Sequence, residues 1–109
     1  MKDLSAKKCV PCEGGVPPLT PDQAKLLRKQ LHEDWRIADD SKSLNRSMKF
    51  RDFYRTMSFV NAVAHIANTE DHHPDVEFGY DHCRITFATH SIGGLSENDF
   101  ICAAKVDRL

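Results

Sequence analysis

The chain has 109 residues, of which 40% are hydrophobic and 28% are charged. These values are typical of one globular domain and exclude a disordered chain, a collagen or a coiled coil. The net charge is −1 with the signs interspersed, whereas a non-specific nucleic-acid binder usually carries a basic excess. No segment approaches the roughly 20 apolar residues of a membrane span, and residues 1–8 lack the apolar core of a signal peptide. We therefore expect a cytoplasmic protein that binds neither nucleic acid nor membrane.

The N-terminal residues 1–18 are predicted to form an irregular lead-in. They contain Pro11, Gly14-Gly15 and Pro17-Pro18 and show no apolar period. A single domain is expected over residues 19–109.

The four cysteines comprise a Cys-x-x-Cys pair, Cys9 and Cys12, and the isolated Cys83 and Cys102. A redox motif needs a strand–helix context, and a zinc finger needs a second ligand pair at a suitable spacing; the lead-in offers neither. The pair is therefore interpreted as reduced thiols in a tail, with a small zinc site that adds a histidine as the alternative. Cys83 and Cys102 are expected to be buried like small apolar residues.

The first predicted helix begins after Thr20, a capping residue followed by Pro21 at the first helical position, and runs to about His32. Alternating apolar residues then predict two antiparallel strands, over residues 35–38 and 44–50. The polar residues between them predict a hairpin turn.

The longest predicted helix spans residues 52–68, which contain no Gly and no Pro. It carries two apolar stripes and is therefore expected to be buried on two sides. A central core helix and a subunit interface both agree with that pattern. The first stripe comprises Phe53, Met57, Val60 and Ala64, and the second comprises Phe59, Val63 and Ile66.

A second hairpin is predicted after Pro74 ends this helix, with alternating strands over residues 76–80 and 85–89. A capping box between Ser96 and Asp99 then opens a last helix. The order helix, strand, strand, helix, strand, strand, helix predicts an α+β fold. We expect a four-stranded, mainly antiparallel sheet with helices packed on one face.

Three histidines, His72, His73 and His90, lie near predicted loop ends. Side chains of neighbouring strand residues point apart, but a bent joint before a proline lets His72 and His73 converge on one cavity. Imidazoles titrate near neutral pH, so this set is suited to moving protons. Zinc ligation is the competing interpretation. It is disfavoured because the ring nitrogens of adjacent histidines point apart on regular backbone and because the sequence has no His-Glu-x-x-His motif. Asp99 has a complete role as a helix cap, and a functional role would require His90 or a ligand nearby.

The run Asp71-His72-His73-Pro74, followed by Tyr80, Thr89-His90 and Gly94-Leu95-Ser96-Glu97-Asn98-Asp99, resembles the pterin-4a-carbinolamine dehydratases. The resemblance covers about residues 19–107, and the Cys-x-x-Cys lead-in is similar to that of bacterial members. This chain departs from many members at Asn68, where a charged residue is common, and at Val76, where a tryptophan is common.

The resemblance implies a hydro-lyase that removes water from a 4a-hydroxytetrahydropterin to give quinonoid dihydropterin, in support of pterin recycling after aromatic amino-acid hydroxylation. It implies no metal and no organic cofactor. His73 is expected to be the acid at the departing hydroxyl, while His72 and His90 position the substrate or accept the N5 proton. Substrate-binding or orienting roles are expected for Asp71, Pro74 and Asp99.

The resemblance and the two-sided central helix together favour a homodimer or a homotetramer. A hydroxylase or a regulatory protein is the expected macromolecular partner. A non-catalytic protein-binding module on the same scaffold is the alternative function.

Overall fold

The computed structural model describes residues 3–11 and 16–109. Its helices are α1 (Pro21–Arg28), α2 (Phe53–Glu70) and α3 (Glu97–Val106). Its strands are β1 (Arg36–Ile37), β2 (Leu44–Lys49), β3 (Asp75–Phe78) and β4 (His82–Phe87). Short 3-10 helices form at Leu4–Ala6 and His90–Ile92.

The four strands form one sheet in the order β1-β2-β4-β3, and every neighbouring pair is antiparallel. Along β4 the side chains of Cys83, Ile85 and Phe87 are buried, while that of Arg84 is exposed. The buried face shares one core with the helices, including Val63 of α2. The predicted α+β fold with a four-stranded antiparallel sheet is therefore confirmed.

Local capping explains where the helices begin. The Thr20 hydroxyl accepts from the Gln23 N–H at 3.2 Å, and the Gln23 side chain accepts from the Thr20 N–H at 2.9 Å. Helix α1 ends at Arg28 rather than near His32, because i→i+3 bonds tighten the following turn and the Arg28 guanidinium donates to the Trp35 carbonyl at 3.0 Å.

The two apolar stripes of α2 have different surroundings. Val63 of the second stripe is buried, and Phe59 and Ile66 pack against the core. In the first stripe, Phe53 is 45% exposed and Ala64 is also exposed. The second stripe therefore anchors α2 on the sheet, and part of the first stripe remains at the surface of the chain.

The described part of the lead-in packs against α3. Leu4 is 1% exposed and belongs to the core. The Lys105 ammonium donates to the Ser5 carbonyl at 2.9 Å, and Lys7 pairs with Glu97 at 2.7 Å. The Cys9 N–H donates to the Glu70 carboxylate at the end of α2 at 2.8 Å, which places residues 9–11 beside that end.

Among the helices that the structure describes, none has the length and apolar character needed to cross a membrane.

Candidate active site

The three candidate histidines line one cavity of about 520 Å³, which is within the usual size range of small-molecule sites. Residues 70–73 enter it from the end of α2, and residues 88–91 enter it after β4. Residues 9–11 and Asn98 of α3 complete its lining. The cavity thus joins segments that are far apart in the sequence.

A reversal of the chain at the end of α2 positions His72 and His73. Asp71 adopts a left-handed conformation with φ 51° and ψ 42°, which is uncommon for a residue other than glycine. The backbone N–H of His72 donates to the Ala67 carbonyl at 3.1 Å. Pro74 cannot continue a helix and directs the chain into β3.

His72 is held on two sides. Its Nε2 lies 2.6 Å from Oδ1 of Asp99, and its ring stacks on Phe87 with centroids 6.1 Å apart and planes 8° apart. The His72 side chain is 12% exposed and that of Asp99 is fully buried. The imidazole therefore has a fixed orientation against the core.

The second oxygen of the Asp99 carboxylate, Oδ2, accepts hydrogen bonds from two groups of the surrounding polypeptide. Oδ2 accepts from the Thr89 hydroxyl at 2.8 Å and from the Ser96 N–H at 3.0 Å. An ionised carboxylate can only accept hydrogen bonds, so Nε2 of His72 carries the hydrogen when Asp99 is ionised. Nδ1 is then the ring nitrogen of His72 that can take up a further proton.

His73 and His90 are more accessible to solvent than His72. Nε2 of His73 lies 3.2 Å from Oδ1 of Asn68, one of the two positions at which the sequence departs from the family pattern. His90 lies in the 3-10 helix His90–Ile92. Two exposed imidazoles thus accompany one that is largely but not fully buried.

The structure groups the predicted site residues in three ways. His72, His73, His90 and Asp71 line the cavity, and Asp99 lies behind His72 rather than beside His90. Pro74 lines an adjoining depression against α2 together with Val76, the second departure from the family pattern, and His73 lines both the depression and the cavity. The valine at that position therefore borders a depression beside the histidine cavity, next to His73.

Sequence reasoning missed the contribution of residues 9–11 and of Asn98. Their contacts join positions that are 88 residues apart in the chain, and no spacing rule reaches that far. Leu4 and Val10, the two branched aliphatic residues among residues 1–11, were the available signal.

The cysteines that the structure describes carry free thiols. The Sγ atoms of Cys9 and Cys102 are 3.4 Å apart, and the hydrogen bond between them, together with burial, raises the pKa of the Cys102 thiol. Burial likewise raises the pKa of the Cys83 thiol. Cys12, the partner of Cys9 in the Cys-x-x-Cys pair, lies outside the described residues. Within residues 3–11 and 16–109, no three His, Cys, Asp or Glu side chains cluster in a way that would hold a metal ion.

The chain matches the family model described as Pterin 4 alpha carbinolamine dehydratase over residues 17–109. A protein of Nitrosomonas europaea, provisionally named a pterin-4-alpha-carbinolamine dehydratase, is 57% identical over 98% of this chain and 93% of its own length. A protein of Rubrobacter xylanophilus with the same provisional name is 48% identical over the full length of both chains.

Two solved structures share the fold. A Brucella melitensis protein described as a transcriptional coactivator/pterin dehydratase is 32% identical, with a TM-score of 0.78 over 84% of this chain and 96% of its own. A pterin dehydratase-like protein described as a RuBisCO assembly factor in the alpha-carboxysome is 26% identical, with a TM-score of 0.61 over 71% of this chain and 89% of its own. From these matches, the chain belongs to the pterin 4 alpha carbinolamine dehydratase family of hydro-lyases.

Proposed function

We propose that this protein converts a 4a-hydroxytetrahydropterin into quinonoid dihydropterin and water. The observation that carries the proposal is the convergence of His72, His73 and His90 on one cavity, with Asp99 bonded to His72 at 2.6 Å. Elimination of water requires an acid at the hydroxyl and a base at N5, and imidazoles can serve as both near neutral pH.

The acid step is assigned to His73. Its imidazolium donates a proton to the C4a hydroxyl, the C4a–O bond breaks, and the oxygen leaves as water. Two observations support this assignment. The first is that His73 lines the cavity and is exposed, so a substrate can reach it. Asn68, at 3.2 Å, helps to fix the orientation of the ring.

The base step is assigned to His72. It takes the proton from N5 while the electrons of the N–H bond form the C4a–N5 double bond. The buried Asp99 carboxylate stabilises the imidazolium that results, since an opposite charge at hydrogen-bonding distance favours the protonated ring. His90 lines the same cavity and positions the substrate. Asp71 also lines this cavity and adds a carboxylate to it.

The test is stopped-flow absorbance of 4a-hydroxytetrahydropterin decay. Wild type is expected to accelerate the decay, while His72→Ala and His73→Ala each lower kcat by about a hundredfold, the usual scale of acid–base catalysis. The matched control is His65→Ala, because His65 is an exposed histidine of α2 outside the histidine cavity. The proposal fails if wild type matches the spontaneous decay, or if His73→Ala behaves like His65→Ala.

A second proposal concerns an interface between copies of the chain. The exposed part of α2 meets the edge strand β3, where the rings of Phe53 and Phe78, each 45% exposed, have centroids 6.5 Å apart. An apolar face next to an unpaired strand edge is typical of a surface that another chain covers. We infer that a second copy covers it and forms a homodimer or a homotetramer.

The roles named for the two solved relatives motivate a regulatory alternative. One is called a coactivator and the other an assembly factor, so the same scaffold is a candidate for binding a hydroxylase or a regulatory protein. The discriminating variant is His73→Ala, which removes turnover but leaves a protein-binding function intact.

We also propose a cytoplasmic location, because the free thiols of Cys9, Cys83 and Cys102 are typical of a reducing compartment.

A further inference from the structure

A segment of the lead-in enters the histidine cavity. We call residues 7–11 the strap. Cys9, Val10 and Pro11 line the cavity together with the histidines. Val10 is 66% exposed, so the strap lies at the rim of the cavity, whereas His72 lies deeper.

The strap is held in place through its main chain. The Asn98 amide donates to the Val10 carbonyl at 2.6 Å and accepts from the Val10 N–H at 3.1 Å. This two-way bonding resembles that of a paired strand. The Glu70 carboxylate also accepts from the Cys9 N–H at 2.8 Å. Asn98 itself is 4% exposed, so its position is fixed by the surrounding core.

The chemistry of the strap differs from that of the opposing side chains. His72, His73 and His90 supply proton-transfer groups, whereas Val10 and Pro11 present apolar surface. In a tetrahydropterin, the aminopyrimidinone half is polar, and the saturated C6–C7 edge is the least polar part of the ring system. Contact between Val10 and that edge would remove apolar surface of both from water.

We propose that the strap is the wall of the substrate site that selects the C6 substituent, and that Asn98 is the positioning residue that holds this wall. The inference rests on the proposed function, since it takes a pterin as the occupant of the cavity. It assigns a specificity role to a segment that precedes residues 17–109, the part of the chain that the family model matches.

The first test changes the wall itself. Val10→Trp is expected to raise the Kd for oxidised biopterin, a non-reacting probe with a long C6 substituent, by about fivefold or more, equivalent to roughly 1 kcal/mol. The Kd for 6-methylpterin should change less, because its substituent is short. Fluorescence titration measures both values without turnover. The matched control is Val16→Trp, because Val16 is a valine of similar exposure, 55%, outside the cavity lining.

The second test removes the hydrogen bonds that hold the strap in place. Asn98→Ala removes both side-chain bonds to Val10, so KM is expected to rise by about fivefold while kcat changes by less than about twofold. The position of the strap is followed by alkylation of Cys9 with iodoacetamide in a Cys12→Ser background. Alkylation should be faster in Asn98→Ala, and bound biopterin should slow it in the protein with Asn98 intact.

Three outcomes separate the inference from the proposed function. If Val10→Trp weakens biopterin binding more than 6-methylpterin binding and Val16→Trp changes neither, the wall is supported, whereas equal weakening of both pterins refutes its role in selecting the substituent. If both tryptophan variants bind biopterin and 6-methylpterin like wild type while His73→Ala still abolishes turnover, the wall is refuted and the dehydratase stands. If wild type shows no turnover but Val10→Trp still weakens biopterin binding, the proposed function fails and the wall stands.

Discussion

Asp99 combines a structural and a proposed chemical role in one side chain. One carboxylate oxygen accepts from the Ser96 N–H at 3.0 Å and the Thr89 hydroxyl at 2.8 Å, and the other lies 2.6 Å from His72. A buried carboxylate needs such partners, since an unpaired buried charge is costly. The same group therefore fixes the start of α3 and the orientation of His72.

We predict that Asp99→Asn lowers kcat by about tenfold or more, because the amide no longer stabilises a protonated His72. It should also lower the free energy of unfolding by about 1–3 kcal/mol, since hydrogen bonds to a buried charged group are replaced by weaker ones. Stopped-flow kinetics and urea unfolding measure the two effects.

Glu97→Gln makes the same chemical change in the first turn of α3 and serves as its control. The Glu97 side chain is 47% exposed and pairs with Lys7 at the surface, so its replacement is expected to have little effect on stability or kcat. An Asp99→Asn protein with wild-type kcat would show that His72 does not depend on this carboxylate.

At the scale of elements, α2 connects the core to the site. It begins at the Asp52 cap, where the carboxylate accepts from the Arg55 N–H at 3.0 Å, and it ends at the left-handed Asp71 before the histidines. The Arg55 N–H lowers the pKa of Asp52, with the nearby Arg51 acting in the same direction. The start of the helix is therefore expected to depend on the ionisation of Asp52.

We predict that Asp52→Ala lowers the Tm at neutral pH and that this loss shrinks in acid. Because the pKa is lower in the folded state than in the unfolded state, the ionised cap stabilises the fold above the unfolded pKa. That stabilisation disappears as the pH falls through the folded pKa.

Asp52→Asn provides the matched comparison for this prediction. Asparagine is also a favourable cap, so the Tm should stay near that of wild type at neutral pH without the acid-dependent loss from this residue. Thermal unfolding followed by circular dichroism at several pH values measures all three proteins. An Asp52→Ala deficit that persists unchanged in acid would contradict the account.

At the scale of the whole molecule, Asp107 joins three regions of the chain. Its carboxylate accepts from the Trp35 indole N–H at 2.7 Å and from the Arg46 guanidinium at 2.7 Å. It also accepts from the His32 N–H at 2.8 Å. The end of α3 is thus tied to β2 and to the connection between α1 and β1.

We predict that Asp107→Ala lowers the free energy of unfolding by about 3 kcal/mol, because the partly buried charge of Arg46 loses its partner. Turnover per folded molecule should be unchanged, since Asp107 does not line the histidine cavity. Urea unfolding is compared with that of Asp34→Ala, which removes an aspartate whose side chain is 58% exposed. Equal stability of the two variants would disprove the role of Asp107.

We also predict that Phe53→Glu reduces the mass measured by sedimentation, because a charge at the apolar face opposes its burial against a second copy. Leu26→Glu is the control, since Leu26 is 61% exposed on α1. A wild-type protein that sediments as a monomer would contradict the proposed interface.

The sequence by itself determined the parts of this protein that depend on neighbouring residues. Apolar periodicity predicted the helices and the antiparallel strands, and the predicted caps at Thr20 and Ser96 lie at the starts of α1 and α3. The His-His-Pro motif supported the family assignment, which the comparisons confirmed.

Tertiary structure decided the contacts between distant segments. Asp99 reaches His72, 27 residues earlier, rather than His90, and Asn98 reaches Val10 across 88 residues. Pro74, which the motif suggested for the site, lines a depression against α2 that adjoins the histidine cavity at His73. Periodicity and capping arise from bonds between residues a few positions apart, whereas these contacts depend on how α3, the end of α2 and the lead-in pack around one core. The sequence thus identified the side chains of the candidate site, and only the packing decided which of them meet.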